Sequence, residues 1–110
     1  MFEKLNTKVQ TIRDGVETEN MQFASLKEFD GKDIKVDGFF FTKGQYGEQV
    51  VVVGNGYKIN MPERCVEEFK QIREDKELLD AVLNGHLCLK NVRRKATNKG
   101  VTYIFEYADC

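Results

Sequence analysis

Residues Gly31–Met61, GKDIKVDGFFFTKGQYGEQVVVVGNGYKINM, admit little besides three consecutive antiparallel strands. Asp33–Thr42 alternates Ile34, Val36 and Phe40 on one face with Lys35, Asp37, Phe39 and Phe41 on the other, the period-2 pattern of a strand. Lys43–Glu48 (KGQYGE) carries two glycines and can reverse the chain. Gln49–Val53 and Tyr57–Met61 then flank Asn55-Gly56, whose positions both favour the positive φ of a tight hairpin turn. With that turn, Val52 stands opposite Ile59 and Val50 opposite Met61, with Tyr57 on the same face. Val51 and Val53 share the other face with Lys58 and Asn60.

After Met61, Pro62 suits the first position of a helix, where a missing N–H costs nothing. Cys65, Val66, Phe69 and Ile72 form one apolar face, and Leu78, Leu79 and Val82 form a second. Arg73–Glu77 contains no apolar residue, so the spacing predicts a kink or two short helices, the second capped by Asp75. Asn84-Gly85 is a C-terminal stop. Glu67, Glu68, Glu74 and Asp80 are expected on a solvated acidic face. His86–Ala96 and Val101–Ala108 make a second hairpin around Thr97-Asn98-Lys99-Gly100, with Val101, Tyr103, Phe105 and Tyr107 facing the core near Leu87 and Leu89.

The opening of the chain is less determined. Phe2, Leu5, Val9 and Ile12 recur at helical spacing, so Met1–Asn20 reads as a short amphipathic helix or as an extended arm along the sheet, with Asp14-Gly15 as a turn. Ser25 with Glu28 makes a capping box for a helical turn that brings Leu26 and Phe29 inward and ends at Asp30-Gly31.

At 110 residues the chain is expected to be one domain, 1–110. It divides into an N-terminal arm or short helix (1–30), three strands (31–61), a helical connection (62–85) and a C-terminal hairpin (86–109). The result is a β-rich α+β chain with the order β-β-β-α-β-β, that of an OB-like, five-stranded, partly open barrel, here with an N-terminal extension. Gly38 would let the first long strand bend and serve both sides. The alternative is a five-stranded antiparallel sheet with a helix on one face.

Composition narrows the function. Hydrophobic residues at 41% and charged residues at 32% describe an ordinary globular chain. No apolar run approaches the roughly 20 residues of a membrane-spanning helix, and MFEKLNTKVQ lacks the apolar core of a signal peptide. The expectation is a cytoplasmic protein with no membrane partner. Cys65, Cys88 and Cys110 are odd in number and far apart, with His86 the single histidine, which fits neither zinc spacing nor a disulfide framework and predicts reduced thiols. No catalytic constellation is present: His86 reads as a strand-start residue, no base is placed to activate a cysteine, and Gly54-Asn55-Gly56 precedes a strand rather than a helix. The chain is therefore expected to be no enzyme and to need neither cofactor nor metal.

Net charge is −1, but its distribution is uneven. Residues 62–80 carry −3, whereas residues 81–110 carry +3, from Lys90, Arg93, Arg94, Lys95 and Lys99 against Glu106 and Asp109. Local field, not total charge, decides what a surface attracts. The five cations lie within ten residues with no acid between them. Rings interleave with other cations: Phe39 and Phe41 opposite Ile34, Val36 and Phe40 unless a bulge at Gly38 exchanges them, Tyr46 near Lys43, and Tyr57 beside Lys58. Exposed rings stack on unpaired bases while Lys and Arg track phosphates. Single-stranded DNA or RNA is the expected partner, held by Phe39, Phe41, Lys43, Tyr46, Tyr57, Lys58, Arg93, Arg94, Lys95 and Lys99.

The GKDIKVDGFFF strand, the GNG hairpin and the NVRRKATNKG loop, in this order, resemble small OB-fold single-stranded DNA-binding proteins of phages and conjugative elements, over roughly Gly31–Ala108. The resemblance implies strand protection during replication or transfer. Neither a Trp nor an acidic tail after Cys110 is present, so it implies a minimal binder that gains valency by self-association or by coating the strand. The competing expectation is a phage or mobile-element accessory protein that binds a host protein or forms a homo-oligomer through the acidic segment Glu63–Asp80 or through Val51 and Val53.

Overall fold

The structure is a computed structural model that describes Ile12, Val16 and residues 18–44 and 47–110. Six strands and two helices follow one another: β1 (Gln22–Ser25), a 3-10 turn (Leu26–Phe29), β2 (Ile34–Gly44), β3 (Gly47–Gly54), β4 (Tyr57–Asn60), α1 (Cys65–Glu74), α2 (Lys76–Leu83), β5 (Leu87–Thr97) and β6 (Gly100–Asp109). The sheet order is β1-β4-β3-β2-β5-β6. Strands β2, β3 and β4 form a meander, and β5 returns through the helices to lie beside β2, which is a Greek key. The fold is thus β-rich and barrel-like, a curled half-barrel. It is not a meander with a helix across it, because β5 pairs β2 and not β4.

The strand count corrects the expected five. β1 pairs in parallel with β4, Ala24 against Ile59. Four residues with only Ala24 buried carry almost no periodic signal, and a parallel partner more than thirty residues away leaves no local hairpin mark. The turn that follows matches expectation: the Ser25 N–H donates to Glu28 Oε2 at 2.7 Å, and Leu26 and Phe29 are buried. The helix or arm expected over Met1–Asn20, and the turn at Asp14-Gly15, lie outside the described residues except at a few positions, of which Ile12 bridges Gly38.

Asn55 and Gly56 adopt φ of 52° and 82°, the hairpin turn those residues favour. Val52 pairs Ile59, and the Met61 N–H donates to Val50 O, as the spacing predicts. The outer face differs. Val51 and Val53 are 1% and 0% exposed, so they offer no contact surface to a partner.

β2 breaks register with β3 between Val36 and Gly38. That bulge moves Phe39 and Phe41 to the core side and Phe40 to the other. Burying a phenylalanine contributes roughly 1.5–3 kcal/mol, so turning two of three consecutive rings inward is favoured over burying Phe40 alone. The same bend lets β2 pair β3 along most of its length and β5 at Ile34–Lys35. Phe39 then packs edge-on against the fully buried Phe69 of α1, 5.0 Å between centroids.

The helical connection splits as the apolar gap predicts. α1 ends at Glu74, and Asp75 Oδ1 accepts from the N–H groups of Glu77 and Leu78 at 3.0 and 3.2 Å. Pro62 does not open the helix itself; it opens a turn three residues earlier, its carbonyl accepting from Cys65 N. On β6, Tyr103 and Phe105 pack against the core, but Val101 and Tyr107 are 50% and 40% exposed. β6 is the last strand of the sheet, and toward its C-terminal end the half-exposed Tyr107 ring still lies 6.1 Å from that of the buried Phe69. The cysteines also depart from expectation, since Cys88 and Cys110 form a disulfide and only Cys65 is a free, buried thiol. Twenty-two residues separate the pair in sequence, but the hairpin folds Ala108 directly against Cys88. Among the described residues no helix is long and apolar enough to cross a membrane.

Candidate nucleic-acid interface

The site is built on Asp33, the residue before β2. Its carbonyl accepts from Asn55 Nδ2 at 3.0 Å, and its Oδ1 accepts from the Asn91 N–H at 3.0 Å. Asn55 Oδ1 also accepts from Lys35 N at 3.1 Å, so the β3–β4 turn is fastened to the start of β2. Asn91 sits at φ 59° in the β5 bulge between Lys90 and Arg93. One aspartate thus joins the turn before Tyr57 and Lys58 to the root of the basic hairpin.

Around this junction the side chains are open. Tyr57 is 41% exposed, its ring edge-on to Phe29 at 6.0 Å. Lys58 Nζ lies 4.3 Å over the ring of Phe23, which at 59% is the most exposed large apolar side chain among the described residues. A shallow depression of about 520 Å³, lined by Asn20, Met21, Gln22, Gly56 and Tyr57, adjoins them. On the hairpin, Lys90 faces Glu106, whereas Arg93 faces Ile104, Arg94 faces Tyr103 and Lys95 faces Thr102, so beyond the bulge these three have no carboxylate across the ladder. Arg93 Nη1 donates to Asn91 O at 2.9 Å, which keeps that guanidinium near the root. Arg94, Lys95 and Lys99 are exposed and form no ion pair among the described residues. Thr97 Oγ1 accepts from Lys99 N and donates to Gly100 O, which holds the two-residue tip.

The structure therefore divides the expected residues. Tyr57 and Lys58 follow the turn that Asp33 fastens, and Arg93, Arg94, Lys95 and Lys99 run from the hairpin root at Asn91 toward its tip. Lys43 is exposed but lies at the far end of the eleven-residue β2. Tyr46 lies outside the described residues. Phe39 is 0% exposed and cannot stack on a base. Phe41 is half-buried, and Arg73 covers it at 4.5 Å from the ring centroid. One exposed ring, Phe23, has no strand signal around it in the sequence, whereas Tyr103, opposite Arg94 and half-buried, packs against the core as its spacing predicts.

Elsewhere the electrostatics serve structure. Lys70 donates to Glu48 at 3.0 Å, and that bond raises the Lys70 pKa. Burial pushes the Cys65 thiol up to about 11, with Glu68 adding to it. Burial, together with the hydrogen bond it donates to Glu68, holds the Tyr107 hydroxyl well above the ordinary tyrosine range. Among the described residues no three His, Cys, Asp or Glu side chains gather as metal ligands would. Comparison with protein families, curated proteins and solved structures finds no match to this chain.

Proposed function

We propose that the chain is a non-enzymatic binder of single-stranded nucleic acid, DNA in the first instance, built on an OB-like partly open barrel. Its five strands from Ile34 onward keep the Greek-key order of that barrel, with β1 laid along β4. The observation that carries the reading is the outer part of the hairpin, where Arg93, Arg94 and Lys95 face no carboxylate, its root tied through Asp33 to the turn before Tyr57 and Lys58. Arg93, Arg94, Lys95 and Lys99 contact phosphates, while Tyr57 offers its exposed ring to a base and Phe23 offers the part of its ring that Lys58 leaves open. Each stacked base contributes roughly 1–3 kcal/mol with little sequence preference.

Tyrosine emission in this tryptophan-free chain should fall as oligo-dT is added at low salt and recover as salt rises. Each phosphate released steepens the logarithmic salt dependence by about 0.7 for single strands. Arg93→Glu with Arg94→Glu should therefore weaken binding and flatten the slope by about 1.4, with the circular-dichroism spectrum unchanged. Affinity and slope equal to those of the parent chain would remove the hairpin from the interface and the proposal with it.

A further inference from the structure

The last strand offers a second, different surface. The Cys110 N–H donates to His86 O at 3.0 Å. Along an antiparallel ladder the backbone groups alternate in direction with each residue. Ala108 and Glu106 therefore turn theirs toward β5, and Phe105, Tyr107 and Asp109 turn theirs to the outer edge, where the sheet ends. Tyr103 has the same orientation, and its carbonyl already accepts from Arg64 Nη2, with Arg64 Nη1 donating to Thr102 Oγ1. The open edge thus begins after Tyr103 and runs from Phe105 to Asp109.

A groove of about 410 Å³ lies along that stretch. Ile72, Leu78 and Leu87 form its apolar wall, and Glu68, Tyr107 and Asp109 its polar side. Leu78 is 47% exposed. Among the described residues that line it there is no Lys or Arg. The cations of α1 are used on its other side, Lys70 on Glu48 and Arg73 on Phe41. An edge whose donors and acceptors meet no partner among the described residues, an apolar wall and an acidic rim together specify the occupant.

We propose that this edge accepts an extended segment of another protein as an added strand, about five residues long, with apolar side chains alternating with Lys or Arg. Backbone bonds to Phe105, Tyr107 and Asp109 hold it in register. Its apolar side chains meet Leu78 and Ile72, and its cations meet Glu68 and Asp109. The surface is distinct from the cationic one, because the groove is lined by the opposite end of the β5–β6 hairpin and holds none of its cations.

The probe is a soluble peptide alternating valine and lysine, titrated into the isotopically labelled full chain and compared with one alternating valine and glutamate. Saturable shifts are expected at the Phe105–Asp109 amides, with at least about tenfold weaker binding of the glutamate peptide, roughly 1.4 kcal/mol. Leu78→Lys, at an exposed position, should lower affinity for the lysine peptide about tenfold and leave oligo-dT binding unchanged. Absence of shifts at those amides, or equal binding of both peptides, overturns the proposal. Sedimentation showing a dimer that Leu78→Lys dissolves gives the edge to a second copy of the chain, and overturns it too.

Discussion

Cys65 and Tyr107 show how single residues set the alkaline limit of this fold. Cys65 at the start of α1 and Tyr107 on β6 both face Glu68, and both are held toward their protonated forms. For Cys65 the ordinary value of 9.0 moves to about 11 because a thiolate would lose its hydration without gaining a donor. A raised pKa in the folded state means that the unfolded chain ionises first as pH rises. The stability it contributes is complete below pH 9.0 and is lost as pH climbs from there through about 11. Tyr107 adds a loss in the same direction that begins at its ordinary value of 10.0. Urea midpoints should hold level up to pH 9 and fall above it, and Cys65→Ala should remove the earlier part of the fall. A midpoint that rises between pH 9 and 11 contradicts this assignment. In the same burial, Cys65 should react with thiol reagents far more slowly than an exposed cysteine at pH 8.

Among the elements, α2 depends most on one side chain. Eight residues are too few for a helix to persist on propensity alone, and Asp75 satisfies two of its otherwise unpaired N–H groups. Asp75→Ala should cost about 1 kcal/mol in urea denaturation and speed hydrogen exchange at Glu77 and Leu78. Asp75→Asn, an equally good cap, should restore most of both, and no difference between the two variants would remove the cap from the account. The break at Asp75 was legible because an apolar gap and a capping residue coincide within five positions. The register of the β3–β4 hairpin was legible for a similar reason, since Asn55-Gly56 sets the pairing locally. The face of the FFF run was not, because alternation allows either phase and the Gly38 bulge decides between them. β1 was invisible, its pairing being parallel and distant, and with it went Phe23, the most exposed ring among the described residues.

At the scale of the whole molecule, the order of elements announced a barrel, but nothing local told how the barrel would close. The sheet has two ends. β1 covers β4 at one of them, and β6 at the other is paired, among the described residues, with β5 alone. Two long-range ties secure it: Arg64, reaching from the turn after β4 to Tyr103 and Thr102, and the Cys88–Cys110 disulfide at the chain end. Both join residues too far apart in sequence for spacing to suggest the contact, which is why the cysteines read as unrelated thiols. Closing a loop of 22 residues removes unfolded-chain entropy equivalent to about 3 kcal/mol. Cys110→Ser should lower stability by up to that amount, and a thiol reductant should lower the parent chain equally while leaving the variant unaffected. The loosening should be uneven. Hydrogen exchange should quicken from Tyr107 to Asp109, at the edge proposed for peptide capture, while the Arg94–Tyr103 region, held by Arg64, keeps its protection. A reductant that leaves the parent's unfolding midpoint and the exchange at Tyr107–Asp109 unchanged would mean that β5 and Arg64 alone hold the last strand.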